Sequence, residues 1–398
     1  MQLFYKTFHY HEGSSSILSG LGACFRGEKN LTDSGSRVAF KSLLTLPALV
    51  FLLWFVPTHA EASRGAIKVD GHVFIPVEEV ARVYRLEGYR PGKSFSVASG
   101  STRLSGTAAS SILNMAGTRF FLTRPILQRN GKLYLSKLDV DQIVTPVLNP
   151  GGIRARAVQT VVIDPGHGGH DTGARGRVGH EKTFALDVSL RTARLLRRQG
   201  FRVVLTRDSD RFIPLPTRVA MSNQVKNAIF VSIHFNHGRS SSAGTETYAL
   251  SPAGAGTTNA ARGRREAHAG RHPGNARDKE SLLLAASIQS ALAHRVKSPD
   301  RGVKFARFHV LRNNTNPSVL VEGGFINSPA EGRRIADGAH RERLASAIAS
   351  GIVNYQRSIG SGRPGRRVAA SADEDDSSGR RRSIFSGFRF GRDSSSDE

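Results

Sequence analysis

Two histidines and two glutamates set the chemistry this sequence could perform. His167 lies in Asp164-Pro165-Gly166-His167-Gly168-Gly169, Glu181 in Gly179-His180-Glu181-Lys182, His234 in Val231-Ser232-Ile233-His234-Phe235-Asn236, and Glu322 in Val321-Glu322-Gly323-Gly324-Phe325. Two neutral imidazoles and one carboxylate are the donors a catalytic zinc uses, leaving a fourth position for water. The other carboxylate is then free to act as a base. Either histidine alone reads more simply as a satisfied loop or core residue. Together, the four phrases put metal-competent groups at strand ends or helix starts, where α/β sheets assemble their sites. Pro165 and the glycines around His167 suit a tight turn that brings backbone close to an ion, and Gly323-Gly324 leaves room for substrate beside Glu322. Cys24 is the single cysteine, so no Cys-based zinc knuckle or internal disulfide framework is available, and a metal must be held by His, Asp or Glu.

Positioning those groups requires a sheet. From Val158 onward the sequence alternates strand and helix signals, which predicts an α/β layer fold with a mixed sheet flanked by helices. Strands are expected at 160–164, 202–206, 228–233, 244–250, 308–311 and 319–322. Helices are expected at 181–199, 217–225, 279–296 and 342–356, the first stopped by Gly200. Before it, residues 64–150 read as a small, mostly β region with strands at 66–69, 73–76, 94–97, 119–122 and 132–135 and a helix near 77–84. Asp70-Gly71 and Asn130-Gly131 serve as hairpin turns. The phrases Val69-Asp70-Gly71 and Phe74-Ile75-Pro76-Val77 resemble the small stalk-like domain that precedes the catalytic domain of many envelope enzymes, and no chemistry is assigned to this region.

The four phrases, in this order, resemble the signature of the zinc-dependent N-acetylmuramoyl-L-alanine amidases (amidase type 3), a large family of cell-wall hydrolases. Further agreement lies in Leu205-Thr206-Arg207-Asp208-Ser209-Asp210, in Pro214-Leu215 with Arg218, and in Asn316-Pro317-Ser318-Val319-Leu320-Val321-Glu322. The resemblance spans about residues 158–355. It implies one Zn2+ per catalytic domain with His167, Glu181 and His234 as ligands, and Glu322 as the catalytic carboxylate that takes a proton from water and passes it to the departing amine. The bond it implies is the amide between N-acetylmuramic acid and the L-alanine of peptidoglycan. Asp164 is expected either to orient His167 or its loop or to cap the turn. Asn236 and Arg218 are expected to support the site or touch substrate. His170, Asp171, His180 and His237 stand beside the phrases and are expected to shape the cleft rather than to ligate. Residues 251–277 lie where some relatives carry a regulatory helix; their weak apolar period predicts none here, and hence no strong self-inhibition.

The ends carry their own signals. The apolar run Leu43 to Val56, preceded by Arg37 and Lys41 and followed by Thr58-His59-Ala60, reads as a signal peptide cleaved after Ala60. It is short for a spanning helix and contains Pro47, which makes an uncleaved anchor the weaker reading. The stretch ahead of Arg37 is unusual for a leader, and translation is expected to start nearer Leu31 or Val38. Residues 1–60 are therefore assigned to extension and leader, 64–150 to the β-rich region, 158–357 to the catalytic domain, and 360–398, rich in Ser, Gly, Arg and Asp, to a disordered tail. Lys and Arg number 57 against 32 Asp and Glu, giving +25. That surplus predicts attraction to polyanions. The leader points to export into the periplasm or cell envelope, so anionic envelope polymers are the expected partners, and nucleic acid is not. A monomer is expected. The competing readings are a non-catalytic peptidoglycan-binding protein and a zinc peptidase acting on the stem peptide.

Overall fold

The computed structural model describes residues 65–153, 155–258 and 270–360. The leader run, the Ala60 junction and the tail beyond residue 360 lie outside the described residues. Two hairpins open the fold. β1 (Ile67–Val69) turns into β2 (His72–Pro76) at Asp70 and Gly71, and β7 (Leu127–Arg129) into β8 (Lys132–Ser136) at Asn130 and Gly131. All four turn residues have positive φ, the conformation that matches the twist of a tight hairpin and that Asn, Asp and Gly tolerate. The strands join as β1-β2-β8-β7, with helix α1 (Val77–Val83) after β2 and α2 (Lys137–Asp139), a π-turn at Val140–Val144 and α3 (Thr145–Leu148) after β8.

The antiparallel strands β3 (Ser94–Ser99), β4 (Thr102–Thr107), β5 (Ile112–Met115) and β6 (Thr118–Phe121) belong to a second, ten-stranded sheet. Its other members are β9 (Thr160–Pro165), β12 (Arg202–Leu205), β13 (Ala228–Asn236), β14 (Thr245–Leu250), β15 (Asp300–Ala306) and β16 (Ser318–Phe325). The order is β12-β9-β13-β16-β14-β15-β6-β5-β4-β3. β12, β9, β13 and β16 run parallel, β14 runs against β16, and β6 meets β15 at the single pair Val303 with Phe120. Strands from both sequence regions thus share one sheet and one apolar core, in which Leu113, Met115 and Phe120 join Leu282, Leu283 and Val303.

Helices α4 (Glu181–Arg198), α6 (Asp278–Arg295) and α9 (Gly338–Gly360) contribute to that core. Along α6 every residue from Glu280 to Leu292 is buried, so the helix is enclosed on all sides although Glu280, Ser281, Ser287, Gln289 and Ser290 are polar. A Cβ on Gly351 of α9 would lie 2.5 Å from the Ile288 Cα, so glycine sets how closely the two helices approach. Helices α5 (Leu215–Asn223) and α7 (His309–Arg312) supply Val219, Val310 and Leu311 to a second cluster with Val162, Phe230 and Leu320. α8 (Pro329–Ala336) follows β16. The mixed-sheet α/β expectation holds, with one reassignment. The 308–311 strand is helix α7, whose apolar Val310 and Leu311 face the smaller cluster, and the strand beside β14 is β15, whose Asp300-Arg301-Gly302 start masks its period. Within 251–277, Pro273–Arg277 is a 3-10 turn and 259–269 lie outside the described residues. Among the described residues no helix is long and apolar enough to cross a membrane.

Candidate active site

The chain leaves β9 at Pro165 and bends sharply. His167 adopts φ of +60°, a left-handed conformation uncommon for a residue with a side chain. Two buried arginines hold this bend. Arg207 donates through Nε to the Pro165 carbonyl at 3.0 Å and through Nη2 to the Gly166 carbonyl at 2.7 Å, and Arg218 donates to the carbonyls of Pro165 and His167, both at 2.7 Å. Asp164 sits beneath, accepting from Arg218 at 2.7 Å, Thr206 at 2.6 Å and Ser232 at 2.8 Å. Asp164 therefore reaches the loop through Arg218, and the carboxylate on the His167 ring is Asp171, 2.9 Å from Nδ1. Burial lowers the Arg207 pKa, and Arg218 beside it pushes the same way.

Glu181 opens α4 directly after a short hairpin of β10 (Arg175–Gly176) and β11 (Gly179–His180). Its carboxylate accepts the backbone N–H of Ala174 at 2.8 Å and of Phe235 at 3.1 Å, which fixes it across the mouth of β13. His167 Nε2 lies 3.1 Å from one of its oxygens and His234 Nδ1 2.8 Å from the other. Donor atoms of His167, Glu181 and His234 all fall within 4.8 Å of one another, a candidate metal site. The rings of the two histidines meet edge to face at 4.9 Å. Glycine makes this approach possible: a Cβ on Gly166 would sit 2.4 Å from the His234 ring, and one on Gly173 2.5 Å from the His167 ring. Burial opposes charge on Glu181, but the two histidines outweigh it and hold the carboxyl far below the usual range. Burial likewise works against a charged His167, and Glu181 and Asp171 outweigh it, raising its pKa.

Glu322 enters by register. On β16 it pairs across to His234 of β13 on one side and to Glu246 of β14 on the other. Its Oε2 is sealed from solvent and has no hydrogen-bond partner. Burial, then the charges of Glu181 and Glu246, raise its pKa well above the ordinary carboxylate value, with Lys304 opposing. Asn236 ends β13 and donates to Glu246 at 2.7 Å while its carbonyl accepts the Ile326 N–H. His170 stacks on Phe212 with centroids 4.2 Å apart, and His180 Nδ1 is buried without a partner. Sequence reasoning assigned no role to Glu246, took Arg207 only as part of a matching phrase, and pointed to Asp171 only as a shaper of the cleft. Glu246 did leave a signal: it is an acidic residue in a strand that is otherwise apolar or small and wholly buried.

A His-Glu-His cluster beyond the carboxyl ends of parallel strands, with a half-buried carboxylate beside it, places the chain among α/β proteins that carry a candidate metal centre. More narrowly, the chain belongs to the N-acetylmuramoyl-L-alanine amidase family, whose model matches residues 161–354. It is 35% identical over 197 residues to the uncharacterized protein YqiI of Bacillus subtilis, covering 50% of this chain and 84% of that one. To the N-acetylmuramoyl-L-alanine amidase AmiA of Escherichia coli it is 35% identical over 228 residues, covering 52% of this chain and 79% of AmiA. To an uncharacterized cell wall amidase of Bacillus anthracis it is 33% identical over 225 residues, which span 55% of this chain and 39% of that relative.

Proposed function

We propose that this protein hydrolyses the amide bond between N-acetylmuramic acid and L-alanine in peptidoglycan, with zinc held by His167, Glu181 and His234 and with Glu322 as the catalytic carboxylate. The observation that carries the reading is the three-residue donor cluster flanked, one strand over, by a buried carboxylate oxygen that has no partner. Three donors of this kind suit zinc and leave a coordination position open. Bound there, zinc supplies Lewis acidity toward the scissile carbonyl and toward water. Asp171 holds the His167 Nδ1 proton and so leaves Nε2 as the donor. Backbone N–H groups of Ala174 and Phe235 fix the Glu181 carboxylate. Glu322 takes a proton from the attacking water and delivers it to the departing amine, a task suited to a buried carboxyl whose pKa stands above the ordinary carboxylate value. Asp164 and Arg218 hold the His167 loop, and Asn236 anchors the neighbouring glutamate.

The protein acts as a monomer in this reading. The catalytic domain in this reading is 158–357, preceded by the β-rich region 64–150. The leader directs the protein to the periplasm or envelope with cleavage after Ala60, and the basic surface and the 360–398 tail meet anionic polymer. Incubating the zinc-loaded protein with purified peptidoglycan tests the core claim: the expected products are stem peptides beginning with free L-alanine, and cuts farther along the peptide would make it a peptidase instead. Glu322→Gln is expected to retain zinc and lose hydrolysis by about a hundredfold or more, while His234→Ala loses both. A fully active Glu322→Gln protein would overturn the assignment.

A further inference from the structure

Next to the candidate site lies a buried charge cluster that the reaction itself does not use. Glu246 is 1% exposed. Its Oε1 accepts from Asn236 Nδ2 and Tyr248 Oη, both at 2.7 Å, and its Oε2 accepts from Arg301 Nε at 2.7 Å and Lys304 Nζ at 2.5 Å. A carboxylate offers about four acceptor positions, so Glu246 is saturated. Glu322, its register partner on β16, keeps a buried Oε2 with no donor at all. Two cations and two carboxylates share this corner of the sheet, and every cation is drawn to the carboxylate that does no chemistry.

A strand irregularity produces the bias. β14 and β15 pair Thr245 with Asp300 and then Thr247 with Val303, so β15 holds an extra residue opposite Glu246. On a regular strand Arg301 and Lys304, three apart, would project to opposite faces. A bulge re-aims side chains, and here it sends both onto one oxygen. Gly302 permits it, with φ of +81° and a backbone so close that a Cβ would lie 2.6 Å from the Arg119 carbonyl. Lys304 is 6% exposed and lies over the rings of Phe121 and Tyr248, so its ammonium has little access to water and depends on a carboxylate.

We propose that Glu246 is a positioning residue that holds Lys304 away from Glu322 and so keeps the catalytic carboxylate unpaired. The inference rests on the reading of Glu322 given above. Without the Glu246 charge, Lys304 turns to the nearest remaining carboxylate, Glu322, and ties up the proton acceptor. Removing Lys304 as well frees Glu322 again.

The test is a charge-reversion series on the full zinc-loaded chain, assayed on peptidoglycan. Glu246→Gln is expected to lower kcat at least about tenfold with KM within about twofold and zinc content unchanged. The double variant Glu246→Gln with Lys304→Met is expected to recover most of that loss, whereas a purely structural role predicts a double variant at least as impaired as the single one. Should Glu246→Gln fail to fold, the double variant is expected to fold, because it buries no unmatched ammonium. An unimpaired Glu246→Gln, a double variant no better than the single, or a double variant that also fails to fold would each overturn the inference while leaving the amidase reading intact. A wild-type protein that releases no L-alanine-terminated peptide would overturn that reading and the inference with it.

Discussion

At the residue scale, the site is shaped by groups outside the proposed ligand set. Asp171 is the sharpest case, since it fixes the His167 ring from the far side. Removing such a partner typically costs about 10- to 100-fold in metal affinity. Asp171→Ala is therefore expected to bind zinc weakly yet regain activity when zinc is supplied in excess, which a titration of activity against free zinc would show; failure of excess metal to restore turnover would assign Asp171 a different job. The cluster of His167, Glu181 and His234, with Glu322 one strand over, was legible because each of these residues stands in a phrase whose neighbours also constrain backbone. Asp171 was not, since a carboxylate four positions past a histidine carries no periodic signature, and Asp164, nearer in sequence, looked the better candidate. Only the folded chain reveals that Asp164 acts on the His167 loop indirectly, by pairing with Arg218.

At the element scale, helix α6 contributes a pH dependence. Asp278 begins this helix, where an anion is ordinarily favoured by the helix dipole. Burial wins instead and pushes its pKa up to about 7, against opposing help from Asn275 and Arg271. The unfolded chain titrates this carboxyl at about 3.9. Between those values the folded protein binds a proton that the unfolded chain does not, so this group's contribution to stability falls as pH rises from about 4 to about 7 and levels off above. Asp278→Asn removes the ionisable group, and the variant is expected to melt higher than wild type at pH 8 with the gap shrinking at pH 4.5; an equal gap at both would refute the assignment. The long helices α4 and α6 were read within a residue or so of their observed ends, whereas α9 was read four residues short at each end, α7 was read as a strand and α8 was not read. Strands fared less evenly. β4, β5 and β7 lack a sustained apolar alternation, and β15 opens on a polar, bulged stretch, so their identity is fixed by neighbours rather than by their own residues.

At the scale of the whole molecule, the division of the sequence near residue 150 does not divide the sheet. β15 continues into β6, and residues of β5 and β6 share the core that encloses α6. A fragment of residues 158–357 would expose an open strand edge and part of that core, both prone to self-association. It is expected to melt lower than a 65–360 fragment and to run larger on size exclusion; matched melting temperatures would mean that the shared core contributes little.

The bend at His167 has one more consequence. Every bond from Arg207 and Arg218 to the carbonyls of residues 165–167 is made by protein alone. Those bonds do not pass through the proposed ligand atoms, so removing a bound zinc is expected to leave the bend in place. Re-adding zinc should restore turnover as fast as the two are mixed, without a lag, and circular dichroism should register no change between the stripped and reloaded states.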